Sequence, residues 1–220
     1  RRGFFSPVPS HYIVLGYKLR RGNRTAVART AFGATLLTPA LTRTYALQYQ
    51  NGRYVPDLDG VADALIRHGK SHFPTRLVGF PSYTFFLLRL LEHRGIQLQL
   101  PAGSKLMLGG GWKQFYTQQV EKTVLYDLAN RILGIPEDHI IEVFSAVEHP
   151  ILYADCVQHH FHVPVYSRII IRDPDTLSPL PYGQPGLVEF ISPLLTATPT
   201  LAVMTDDLGI LHPPGSCPCG

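Results

Sequence analysis

Charge is scarce in this chain. Only 16% of its 220 residues are charged, against a usual share of about 25%. The shortage suggests a surface that is partly covered in the working protein. Long apolar runs are also missing. The longest, Tyr83 to Leu91, is broken by Arg89, which excludes a helical membrane span. There are three cysteines, too few for a disulfide framework, so a reducing, cytoplasmic setting is the default. No apolar stretch follows Arg1-Arg2-Gly3-Phe4 as a signal peptide would require. The two methionines are Met107 and Met204. With no initiator Met, and a stop at Cys217-Pro218-Cys219-Gly220, the chain reads as a piece of a longer protein.

What is present sets the class. Apolar residues make up 45%, enough for a core, which excludes general disorder. Nineteen glycines and 19 prolines point to many turns rather than a helical bundle. Acidic residues are unevenly placed: residues 1–76 hold 12 basic and 3 acidic groups, residues 77–220 hold 8 and 13. A basic third can meet phosphate or nucleic acid. Without interleaved aromatic binding motifs, a solvated face is the plainer reading, and no nucleic-acid partner is expected.

The pattern along the chain implies an α/β fold. Residues 1–57 read as loop, helix and strand pieces of weak periodicity. A short helix is expected over about Leu58–His68 and a buried strand over Arg76–Phe80. Pro81 then opens a helix whose Tyr83, Phe86, Leu87, Leu90 and Leu91 follow helical spacing, and Gly95 ends it. Lys105–Leu108 is a strand, about Thr117–Leu133 a helix with Val120, Val124, Leu128 and Ile132 in register, and Ile140–Phe144 a strand. Such alternation makes a parallel sheet with covering helices. After residue 150 the texture changes to hairpins: Pro164–Arg172, Gly186–Phe190 and Leu201–Thr205. We expect an α/β portion over 1–150 and an antiparallel β subdomain over 151–220.

Four constellations could carry chemistry. Gly109-Gly110-Gly111 follows a strand, where a ligand can approach bare backbone; a structural turn is the other reading. Phe144 and Glu148 close another strand. The ring could stack on a base and the carboxylate could hold Mg²⁺ with phosphate oxygens, or the pair could be core and surface. Asp206 and Asp207, after an apolar strand, could accept hydrogen bonds from ribose hydroxyls, bind a metal, or sit in a solvated turn. Finally, Cys156, one of the nearby histidines, Cys217 and Cys219 supply the four ligands of a structural zinc site. His162 is our choice of histidine and His160 the next; a histidine-assisted catalytic cysteine or a redox pair are the rivals.

Taken together, the segments resemble the adenylate-forming superfamily. The resemblance is nearest to the acyl-protein synthetase family, the long-chain-fatty-acid–luciferin-component ligases of bacterial bioluminescence and their relatives. It is carried by Gly79-Phe80-Pro81-Ser82, Leu100–Lys105, Gly109–Lys113, Leu133–Glu137, Glu148-His149-Pro150, His159–Pro164, Arg172–Pro181 with Gly186-Leu187, Thr205–Gly209 and Cys217–Gly220. The match runs from about residue 76 to the end.

The resemblance implies part of an adenylate-forming enzyme's N-terminal domain. It further implies ATP- and Mg²⁺-dependent activation of a fatty acid as acyl-adenylate, then transfer to a protein cysteine and on to a reductase partner. By position it makes Phe144 the adenine-stacking aromatic, Glu148 the Mg²⁺-linked acid and Asp207 the ribose-binding acid. Gly109, Gly110 and Gly111 would line the nucleotide and acyl pocket. Tyr83 and Trp112 are candidate pocket walls, with core packing as their other reading. The chain departs from the family pattern at Ser145, where a glycine is usual, and at Val147, where a hydroxyl is usual. The Ser/Thr/Gly-rich phosphate loop and the small lysine-bearing C-terminal domain are not in this sequence, so the chain alone is expected to be inactive. An aryl- or acyl-CoA ligase like phenylacetate–CoA ligase, and a zinc-clipped binding module without catalysis, are the alternatives.

Overall fold

The computed structural model describes residues 3, 5–22, 25–149, 151–194 and 200–219. Arg1, Arg2, Phe4, Pro150 and Gly220, named above, lie outside them. The chain forms two compact units, Arg1–Glu142 and Val143–Gly220. The division falls before the Phe144–Glu148 segment rather than after residue 150, because Phe144 packs into the second unit's core.

The first unit is an α/β layer structure. Its strands are β1 (Ser10–Tyr17), β2 (Ala40–Gln50), β3 (Arg53–Pro56), β4 (Thr75–Gly79), β5 (Lys105–Gly109) and β6 (Ile140–Phe144), in sheet order β3-β2-β1-β4-β5-β6. β1 runs parallel to β2 and β4, and β4 parallel to β5. β3 returns antiparallel on β2, through a turn whose Asn51 and Gly52 both take positive φ. The expected "pieces" before residue 57 are therefore three strands and helix α1 (Ala26–Ala34). β1 is apolar and buried from Tyr12 to Leu15, so it shows no alternation for a period-2 reading to find.

The other helices follow their sequence signals more closely. α2 (Leu58–Gly69) starts where the Asp57 carboxylate accepts from the Gly60 N–H at 3.0 Å, a side-chain cap. It buries Val61, Ala62, Ala64 and Leu65. α3 (Pro81–His93) starts at Pro81, whose missing N–H costs nothing in a first turn. It buries Leu87, Leu88 and Leu91, and Gly95 leaves it at φ +65°.

The expected Thr117–Leu133 helix is two pieces. A 3₁₀ segment spans Lys113–Gln118, Gln119 is extended, and α4 covers Lys122–Leu133. The core-facing stripe of α4 is Leu125, Leu128, Ala129 and Ile132, while Val124 is exposed. A strict four-residue repeat drifts around a 3.6-residue helix, and here it walks off the core.

The second unit pairs the last two residues of β6, Val143 and Phe144, with β7 (Tyr153–Ala154). β8 (Arg168–Arg172), β9 (Pro185–Ile191) and β10 (Ala202–Ile210) form an antiparallel sheet in order β10-β9-β8. β8 is shorter than the expected Pro164–Arg172. β10 is longer than Leu201–Thr205, so Asp206 and Asp207 lie within a strand, at a break in register between Met204 and Leu208. The core here is small: Ile151, Tyr153, Ile171, Val188 and Phe190, with Phe144, Ile169, Leu180 and Leu211 against it.

Candidate functional site

In the first unit, β5 delivers the glycine triplet. Gly109 ends the strand, and Gly110 takes φ +70°. A Cβ on Gly110 would stand 2.7 Å from the Phe80 ring, whereas one on Gly111 would meet nothing within 4 Å. Gly110 is thus needed by the fold, and Gly111 is the position that leaves bare backbone open. Trp112 is buried and packs on Phe85, ring centroids 5.6 Å apart. Tyr83 meets Phe80 edge-on at 5.6 Å and Phe115 at 6.0 Å. Both candidate pocket walls therefore belong to a packed aromatic group.

In the second unit, Phe144 is half-buried and stacks on Phe190 at 5.5 Å and 20°. Phe144 and Asp207 line one cavity of about 230 Å³, together with Phe161, His162, Phe190 and Leu211. Asp207 is exposed on β10. Glu148 is exposed on the turn after β6, and Val147 is 70% exposed. Glu148 does not line that cavity.

The same turn holds His149, for which no role was read from the sequence. His149 is fully buried, stacks on Phe190 at 5.3 Å, and bonds Tyr153 Oη through Nε2 at 3.0 Å. Tyr153 Oη in turn meets Ser167 Oγ at 2.5 Å. Burial holds the imidazole below its usual pKa and pushes the phenol up, the latter partly offset by Ser167.

The cysteines and histidines meet on two loops of the second unit. Cys156 begins a tight reversal in which its N–H donates to His160 O and the His159 N–H returns to Cys156 O, both at 2.9 Å. His159 takes φ +55° there, and its Nδ1 lies 2.7 Å from Asp155 Oδ2. The second loop turns at Gly215, φ +76°, just before Cys217.

Cys156 Sγ lies 3.6 Å from Cys217 Sγ, Cys217 Sγ 3.4 Å from Cys219 Sγ, and Cys219 Sγ 3.3 Å from His162 Nε2. All four ligand atoms fall within 4.8 Å of one another. Tetrahedral zinc with Zn–S near 2.3 Å and Zn–N near 2.0 Å needs edges of roughly 3.5–3.8 Å, so these three edges fit such an ion within a few tenths of an ångström, while separations of up to 4.8 Å would have to close by about 1 Å. His160 stands aside, its Nδ1 3.5 Å from Cys217 Sγ and its ring stacked on His212.

Burial pushes the Cys156 thiol up, but hydrogen bonds involving the His160 and Gln158 backbone, His162 and Cys217 outweigh it and hold the thiol at about 6. The Cys217 contact, burial and neighbouring thiolate charge push Cys219 up to about 11. Three clustered thiols do not all ionise without a cation to offset them.

A family model described as acyl-protein synthetase, LuxE, matches residues 27–220. The chain belongs to the LuxE acyl-protein synthetase family. Two relatives are long-chain-fatty-acid–luciferin-component ligases. The one from Vibrio harveyi is 28% identical over 137 residues, covering 62% of this chain and 36% of that protein. The one from Aliivibrio fischeri is 26% identical over 158 residues, covering 70% and 41%. The chain thus spans about two fifths of the length of the curated relatives it matches. Among solved structures, ATP-bound MatB from Rhodopseudomonas palustris aligns with a TM-score of 0.54 at 16% identity, covering 94% of this chain and 39% of that one. That likeness is one of fold. The LuxE match takes in Phe144, Glu148, Asp207 and all four members of the Cys/His cluster.

Proposed function

We propose that this chain is the central part of an ATP-dependent carboxylate ligase that activates a long-chain fatty acid as its acyl-adenylate. The observation that carries the reading is the cavity shared by Phe144 and Asp207, residues far apart in sequence. One offers a partly open aromatic face beside Phe190. The other offers an exposed carboxylate with no hydrogen-bond partner among the described residues. An aromatic ring and an acceptor around one small cavity suit a base and a ribose. Both residues hold the nucleotide so that the acid's oxygen can reach the α-phosphate. Glu148 is the acid that holds Mg²⁺, whose charge offsets that of the transferring phosphate. In the first unit, Gly111 is the member of the glycine triplet whose backbone has open space around it.

The relatives' name supports a fatty acid as substrate. In this reading a protein cysteine thiol displaces AMP from the adenylate, and the thioester passes to a reductase partner. Free CoA as acceptor is the alternative. Cys156, His162, Cys217 and Cys219 hold a structural zinc ion that ties the two loops together, a reading supported by their mutual distances.

The test uses the full-length protein. It should exchange labelled pyrophosphate into ATP only when a long-chain fatty acid is present, and Asp207→Ala should abolish both exchange and ATP affinity. Absence of exchange with every fatty and aryl acid tried overturns the reading. Acylated protein rather than acyl-CoA as product decides the acceptor.

A further inference from the structure

The turn between β6 and β7 is fastened at both ends to one ring. Phe144 stacks on Phe190 at 5.5 Å and 20°, and His149 on the same ring at 5.3 Å and 27°. Glu148 is carried between these two fastenings. Backbone bonds tighten the turn: His149 N–H donates to Ala146 O at 3.2 Å and Ile151 N–H to His149 O at 2.7 Å.

The hydrogen-bond directions follow from counting protons. Ser167 Oγ donates its single proton to Ile191 O at 3.0 Å. Towards Tyr153 it can then only accept, at 2.5 Å, so the phenol donates to it. The phenol oxygen is left to accept from His149, at 3.0 Å. His149 therefore carries its proton on Nε2, and Nδ1 is a bare acceptor. That Nδ1 is buried without a partner, an arrangement that costs free energy. A phenyl ring would fill the same stack with no orphaned lone pair, so the Nε2 bond is what the imidazole adds.

We propose that His149 is a positioning residue for Glu148. The relay His149–Tyr153–Ser167–Ile191 fixes the end of the turn, and with it the carboxylate that holds Mg²⁺. This rests on the adenylation reading of Glu148.

The experiment uses full-length protein, the variants Tyr153→Phe and His149→Phe, and Glu148→Gln alone and combined with Tyr153→Phe. Histidine ¹⁵N NMR of the unaltered protein should show His149 neutral with its proton on Nε2 at pH 7. Tyr153→Phe should raise the Mg²⁺ concentration for half-maximal pyrophosphate exchange about tenfold, the effect of one buried hydrogen bond. His149→Phe should do the same. Mn²⁺ binding to the ATP-loaded protein, followed by electron paramagnetic resonance, should weaken by a similar factor. In the Glu148→Gln background, Tyr153→Phe should add nothing. An Nδ1–H tautomer, an imidazolium, unchanged metal dependence in folded variants, or additive effects would each overturn the proposal. Unaltered protein lacking acid-dependent exchange sinks the ligase reading instead; active protein whose metal dependence ignores Tyr153→Phe sinks only this inference.

Discussion

At the scale of single residues, the glycine triplet separates two demands that look identical in sequence. Gly110 is held by a positive φ and by the Phe80 ring, while Gly111 faces open space. Gly110→Ala should destabilise the first unit by about 1–3 kcal/mol through strained backbone and overpacking, lowering its melting temperature by several degrees. Gly111→Ala should leave melting unchanged. Equal melting for the two variants in a thermal scan would contradict this division. Residue identities at the candidate site were legible from the sequence, since Phe144, Asp207 and the cysteines are distinctive in type and place. The relay from His149 was not. Its bonds join side chains across a turn and to a more distant strand, and no sequence period links such partners.

At the scale of elements, turns and periods carried most of the information. Pro81, Gly95 and Gly134 punctuate helices at the positions their backbones require. α2, α3, β4, β5 and β6 stand close to where spacing placed them. The misses have physical causes. β1 is a buried parallel strand without alternation, and the 3₁₀ segment Lys113–Gln118 with extended Gln119 interrupts a helix whose apolar spacing runs on regardless. Among the described residues the second unit's buried apolar core is Ile151, Tyr153, Ile171, Val188 and Phe190, small enough that a metal clip would supply much of its order. Metal analysis of the purified protein should give about one zinc per chain. Removing it with a chelator should expose the amides of residues 151–162 and 210–219 first, read by hydrogen exchange, with β1 and β4 unaffected. Unchanged protection in those two loops would dispose of the clip.

At the scale of the whole molecule, the low charge content reappears as surface. Val165 and Leu208 stand 103% and 72% exposed in the second unit. No helix among the described residues is long and apolar enough to cross a membrane. The first unit contains an acid-sensitive point. His68 is buried and stacks on His11 at 4.3 Å. Burial, then the charges of His11 and Arg67, push its pKa down to about 4. The unfolded histidine binds its proton near 6.5, so between about 4 and 6.5 the unfolded chain holds the extra proton. Unfolding free energy should therefore rise with pH across that window, by roughly 3 kcal/mol from this residue. Urea unfolding followed through β1 amides at pH 4.5 and 7 should show that slope, and His68→Gln should flatten it; an unaltered slope would assign the acid sensitivity elsewhere.

The distance along the chain between the two halves of the Cys/His cluster also has a kinetic meaning. Cys156 and Cys217 are separated by 61 positions. A ribosome adding about 5–20 residues per second leaves the first thiol waiting roughly 3–12 s for its partners. During that interval the nascent chain presents a bare, oxidisable sulfur beside its histidines, so the yield of correctly assembled protein should depend on how reducing the surroundings are while it is being made.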